Sequence, residues 1–121
     1  MTADSRIDPT VINELIDLGP ETGLQLVKDL VDIFSSEAPL RLAAMREGFT
    51  SHDVNAVAMA AHAMRGGAGN LGALAVGALC TQIEQAARTG ELDDVGSMIA
   101  ELEQELAFVR DALGERLAAM G

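Results

Sequence analysis

Residues Asp53 to Ala73 read DVNAVAMAAHAMRGGAGNLGA, and this stretch decides the fold. On a helix turning about 100° per residue, Val57, Ala61, Met64, Ala68 and Leu71 fall within about 40° of one direction. A stripe of that kind is what an amphipathic helix buries against a core. His62 lies about 140° from the centre of the stripe, toward solvent. Asn55, Ala58, Met59, Arg65, Gly66 and Gly69 lie on the same side. The stretch therefore predicts one helix with a histidine on its outer face, set among small side chains and beside one cation.

Working outward, the same periodicity recurs. Asp8-Pro9 reads as an N-cap and first helical residue, opening a short helix that Gly19-Pro20 closes. From Glu21 to Glu47, Leu24, Val27, Val31, Phe34, Ala38, Leu42 and Met45 recur at helical spacing. Pro39 falls inside that stripe and predicts a kink or a local break, and Gly48 predicts its end. Ser51 or Asp53 can cap the helix that carries His62, which Gly72 closes. A further stripe, Val76, Leu79, Cys80, Ile83 and Ala87, ends at Gly90. Asp93 or Asp94 then opens the last helix, striped by Val95, Ile99, Leu102, Leu106, Val109 and Leu113. Four long amphipathic helices with short connections predict an all-α, antiparallel four-helix bundle, with the short N-terminal helix as a lid. The composition agrees: 49% of residues are hydrophobic but only 2% aromatic, a balance that favours helices over strands. At 121 residues the chain is expected to be a single domain, residues 1–121.

Charge narrows the function. Eight basic residues against nineteen acidic ones give a net charge of −11, which repels phosphate backbones and anionic membranes. Nucleic acid and membrane are therefore not expected as partners. Cys80 is the lone cysteine and reads as core packing; with two histidines it offers no metal site. The opening MTADSRIDPT holds no apolar run, so no signal peptide is expected, and the reading places a monomer in the cytoplasm. Gly67 to Gly72 matches G-x-G-x-x-G, but the match ends a helix instead of following a strand, so it does not predict a dinucleotide site. His52 falls in a turn and reads as solvated surface.

Gly66, Gly67 and Gly69 each cost a helix interior roughly 1 kcal/mol relative to Ala. Gly67 can be explained by close packing, whereas Gly66 and Gly69 lie on the outer face, where packing gives no reason for them. Gly66 follows His62 by one turn, and its bare position opens the imidazole to another protein. A neutral imidazole has one nitrogen lone pair able to attack phosphorus, and a neighbouring cation offsets charge on the transferring group.

His62-Ala63-Met64-Arg65-Gly66 with the downstream Leu71-Gly72 resembles the His-x-Leu-Lys-Gly signature of histidine phosphotransfer (HPt) domains. Cys80, Ile83, Glu84, Ala87, Arg88 and Gly90 resemble that family's next helix. The resemblance implies a phosphorelay protein that accepts a phosphoryl group on His62 and exchanges it with the aspartate of a receiver domain. It implies a hybrid histidine kinase upstream and Mg²⁺ held by the receiver, with no cofactor of this chain's own. Arg65 takes the place of the family's Lys, keeping its charge, and Met64 that of Leu. Asn55, Ala58, Met59, Gly66 and Gly69 are the expected docking surface. No ATP-binding motif is present, so a phosphohistidine carrier is expected and not a kinase. The alternative is a helical adaptor that binds a receiver or kinase without being phosphorylated.

Glu84 matches the family's carboxylate or amide that bonds the second ring nitrogen. Its position agrees: the tight Gly72-Ala73 turn folds the next helix back, bringing Glu84 alongside the middle of the one before. Glu84 is therefore expected to accept a hydrogen bond from the Nδ1–H of His62, leaving Nε2 outward and nucleophilic.

Overall fold

Capping chemistry sets the element boundaries in the computed structural model, which describes residues 7–120. Residues 1–6, part of the opening stretch read above as lacking an apolar run, and Gly121 lie outside the described residues. Asp8 caps α1 (Pro9–Ile16), its carboxylate accepting from the Thr10 N–H at 3.0 Å. Then follow α2 (Pro20–Ser51), α3 (Val54–Leu71), α4 (Leu74–Arg88) and α5 (Val95–Met120). Asp53, not Ser51, caps α3, accepting from the Ala56 N–H at 3.1 Å.

α2 packs on α3 and α5, and α4 packs on the same two, so the four long helices close a ring around one core. Short connections make consecutive helices antiparallel. Val27, Phe34, Met45, Val57, Met64, Leu71, Ile83, Leu102 and Val109 fill the centre. α1 lies across α2 and α3 as the expected lid. Among the described residues the only pairing of strand type is an isolated bridge between Ile7 and Ala73. Gly72 makes that anchor possible. Its φ is +71°, and a Cβ there would sit 2.9 Å from the Asp8 carbonyl oxygen. Asp8 N–H in turn donates to the Gly72 carbonyl at 2.7 Å.

One expectation about α2, its end at Gly48, is corrected, and of the two outcomes expected at Pro39 the break is ruled out. The helix does not break at Pro39, and it runs past Gly48 to Ser51. Pro39 is exposed, so the carbonyl it leaves without an intrahelical donor is on the solvent side, while Phe34, Ala38 and Leu42 hold the segment in the core. Gly48 serves a close approach: a Cβ there would lie 2.9 Å from Val57 Cγ2. The helix ends instead at His52, which takes the left-handed conformation with φ 59°.

Candidate functional site

α3 presents His62 from its middle. The core stripe falls as the spacing predicts, with Val57, Ala61, Met64, Ala68 and Leu71 all buried, and the His62 side chain is 59% exposed. Gly66 and Gly69 are open: an added Cβ at either would meet nothing within 4 Å. Gly67 differs, since its Cβ would press on the Phe34 ring at 3.2 Å. Met59 and Asn55 lie exposed one and two turns before His62, with Asn55 Nδ2 3.4 Å from the Met59 sulfur. Exposed Ala63 and Asn70 extend this face.

Ala58 does not belong to it. It is buried, not part of an exposed setting. Ala58 projects about 100° from Val57, at the edge of the stripe. α3 packs against both α2 and α4, and its burial extends past the stripe to that edge.

The packing of α4 on α3 delivers Glu84. It is buried on α4, with its carboxylate oxygens 3.3 and 3.2 Å from His62 Nδ1. Two guanidinium groups flank it. Arg65 Nη1 is 3.4 Å from Oε1, and Arg88 donates to Oε2 from Nε at 3.1 Å and Nη2 at 2.7 Å. A charged Glu84 in this setting is favoured despite burial. Its carboxyl lies below its ordinary value, chiefly through the Arg88 hydrogen bonds, with burial opposing and His62 and Arg65 adding to the lowering. Two arginines against one glutamate leave a local positive excess on a protein of net charge −11.

Arg65 Nη2 also lies 3.0 Å from His62 Nδ1. Nδ1 cannot donate to Glu84 and accept from Arg65 at once. Glu84 is buried and bonded to Arg88 on its own helix, whereas the Arg65 side chain is 41% exposed. With the carboxylate as the partner of Nδ1, the proton sits on Nδ1 and Nε2 carries the lone pair.

Sequence reasoning placed His62, Arg65 and Glu84 together, and the structure brings them together. It left Arg88 without a role. The available signal was its spacing four residues after Glu84, which puts both on one helix face. Cys80 is buried and its thiol is pushed up to about 12, mainly by burial, so it stays protonated. Among the described residues no cluster of His, Cys, Asp and Glu is suited to a metal ion, and no helix is long and apolar enough to cross a membrane.

His62 thus stands exposed on α3 with a buried carboxylate at Nδ1 and two arginines around that carboxylate. The Hpt domain model matches residues 29–112, well over half of the chain, and the protein belongs to the Hpt domain family. It is similar to histidine-containing phosphotransfer protein B (HptB) from Pseudomonas aeruginosa PAO1, whose crystal structure it matches at 25% identity with a TM-score of 0.80. The match covers 94% of this chain and 96% of that one. No curated protein matches the sequence. The chain is thus a histidine phosphotransfer protein of phosphorelay signalling, from a family of phosphocarriers that work with receiver domains and kinases.

Proposed function

We propose that His62 is the phosphoryl acceptor, exchanging the group with the aspartate of a response-regulator receiver domain supplied by a hybrid histidine kinase. The Nδ1 contact with buried Glu84 carries this reading. In the step, the Nε2 lone pair attacks phosphorus of the aspartyl phosphate. The N–P bond forms as the acyl O–P bond breaks, and the departing electron pair stays on the aspartate carboxylate. The ring gains positive charge, which Glu84 offsets through the Nδ1–H it already holds. Arg65 is placed to follow the phosphoryl oxygens. Mg²⁺ held by the receiver would neutralise charge on the partner's side.

Asn55, Met59, Gly66 and Gly69 form the docking surface, with the histidine in reach because no side chain stands at Gly66. The chain acts as a single-domain monomer in the cytoplasm, with no ATP chemistry of its own. The test is exposure of the parent protein and His62→Gln to a phosphorylated receiver. The parent should take up acid-labile, base-stable phosphate, and His62→Gln should take up none while keeping its helical circular dichroism. A labelled His62→Gln would move the site to His52; a parent that binds the receiver without label would be an adaptor.

A further inference from the structure

Arg88 makes the shortest contact to Glu84 that the site contains, 2.7 Å from Nη2 to Oε2, yet it has no contact with His62 among the described hydrogen bonds and ion pairs. We propose that Arg88 is a positioning residue for phosphoryl transfer: by clamping Oε2 of Glu84 it holds the charged carboxylate against Nδ1 and so sets which nitrogen of His62 carries the proton. This rests on the reading of His62 as the acceptor.

The division of labour between the two arginines supports it. Arg65 reaches Oε1 from α3 and touches Nδ1 as well, so a phosphoryl group arriving at Nε2 competes with Glu84 for it. Arg88 sits on α4, four residues from Glu84, and its two N–H groups converge on the other oxygen. Its grip does not depend on α3 or on where Arg65 goes. When Arg65 turns to the phosphoryl oxygens, Arg88 remains to keep a buried carboxylate charged.

Without that clamp, burial favours the neutral carboxylic acid. A protonated Glu84 would donate its O–H to Nδ1, the ring proton would shift to Nε2, and the nucleophilic lone pair would be lost there. A freed carboxylate that turned away would leave Nδ1 to accept from Arg65, with the same result. The groups that face Glu84 are His62 and Arg65 from α3, and Arg88 and Cys80 from its own helix.

The test compares the full-length parent with Arg88→Met, which keeps length without charge, and Arg88→Lys, which keeps the charge. Long-range ¹H–¹⁵N correlations of His62 in the free protein at neutral pH read the tautomer directly. The parent should show the Nδ1–H form. Arg88→Met should shift the ring toward Nε2–H and slow phosphoryl uptake from a phosphorylated receiver on the order of tenfold, with receiver affinity unchanged. Arg88→Lys should restore most of both. An Arg88→Met protein with the parent's tautomer overturns the proposal, as does one whose tautomer moves while transfer does not. If Arg88→Met fails to fold, Arg88→Gln takes its place with the same two readouts. A parent that takes no label sinks the acceptor reading; an unmoved tautomer in Arg88→Met, with a parent that takes label, sinks only the role of Arg88.

Discussion

The two histidines of this chain stand ten residues apart, one before α3 and one in its middle, and both are exposed. His52 ends α2 in the left-handed conformation, and among the described hydrogen bonds and ion pairs its ring has no partner. His62 backs onto a buried carboxylate that two arginines hold. Exposure is common to both, so exposure does not make the site. What separates them lies on the next helix, behind the ring, where a charge is kept out of water at a place the core alone would not tolerate.

Removing that charge should have the largest effect on the comparison. Glu84→Gln replaces charge-assisted bonds with weaker neutral ones and should cost about 1–3 kcal/mol at neutral pH. The group is buried, so solvent screening removes little of this. Glu84 has its folded-state value below the ordinary 4.5, so the stability it contributes is present above 4.5 and is lost as pH falls through the folded value. Urea unfolding of parent and variant should therefore show a gap near neutrality that closes on acidification below that point. A gap of the same size at about pH 3 would mean that the carboxylate's charge is not what stabilises the site.

Gly66 separates the histidines by approach. A Cβ at Gly66 meets nothing, whereas one at Gly67 meets Phe34 at 3.2 Å. Gly66→Leu should raise stability by roughly 0.5–1 kcal/mol, because Gly is a poor helix former, yet weaken receiver binding at least about tenfold, or roughly 1.4 kcal/mol. Gly67→Leu should lower stability instead, by forcing the Phe34 ring aside. Calorimetric titration with a receiver and thermal melts check both. Unchanged affinity in Gly66→Leu would mean that the bare face does not serve docking.

The spacing of residues made one face of α3 legible because a helical stripe is a local property: Val57, Ala61, Met64, Ala68 and Leu71 are buried as their angles require. Glu84 was legible because a two-residue turn leaves an antiparallel return as the course of the next helix. What escaped depends on how elements meet. Ala58 is buried because the burial of α3 between its neighbours reaches past the stripe's edge, and no angle on α3 contains how closely they approach. Pro39 and Gly48 carry strong local signals for ending a helix, and core packing and a close helix approach override both. Arg88 was visible as a neighbour of Glu84, but its importance follows from burial, which only the assembled bundle supplies.

The smallest expected effect concerns His52. A non-glycine residue in the left-handed region bears a steric penalty of roughly 1 kcal/mol, since its Cβ crowds the following carbonyl. His52→Gly removes that penalty at φ 59°. Glycine also gains freedom in the unfolded chain, which takes back about 0.4–1 kcal/mol. The two terms nearly cancel, and the variant should lie within about 0.5 kcal/mol of the parent in stability. Phosphoryl uptake should not change, because among the described hydrogen bonds and ion pairs no carboxylate contacts the His52 ring as Glu84 contacts His62. Thermal melts and labelling by a phosphorylated receiver measure the two quantities together. A His52→Gly protein that folds like the parent but takes up markedly less phosphate would give the first histidine a part in transfer, and the contrast between the two would fail.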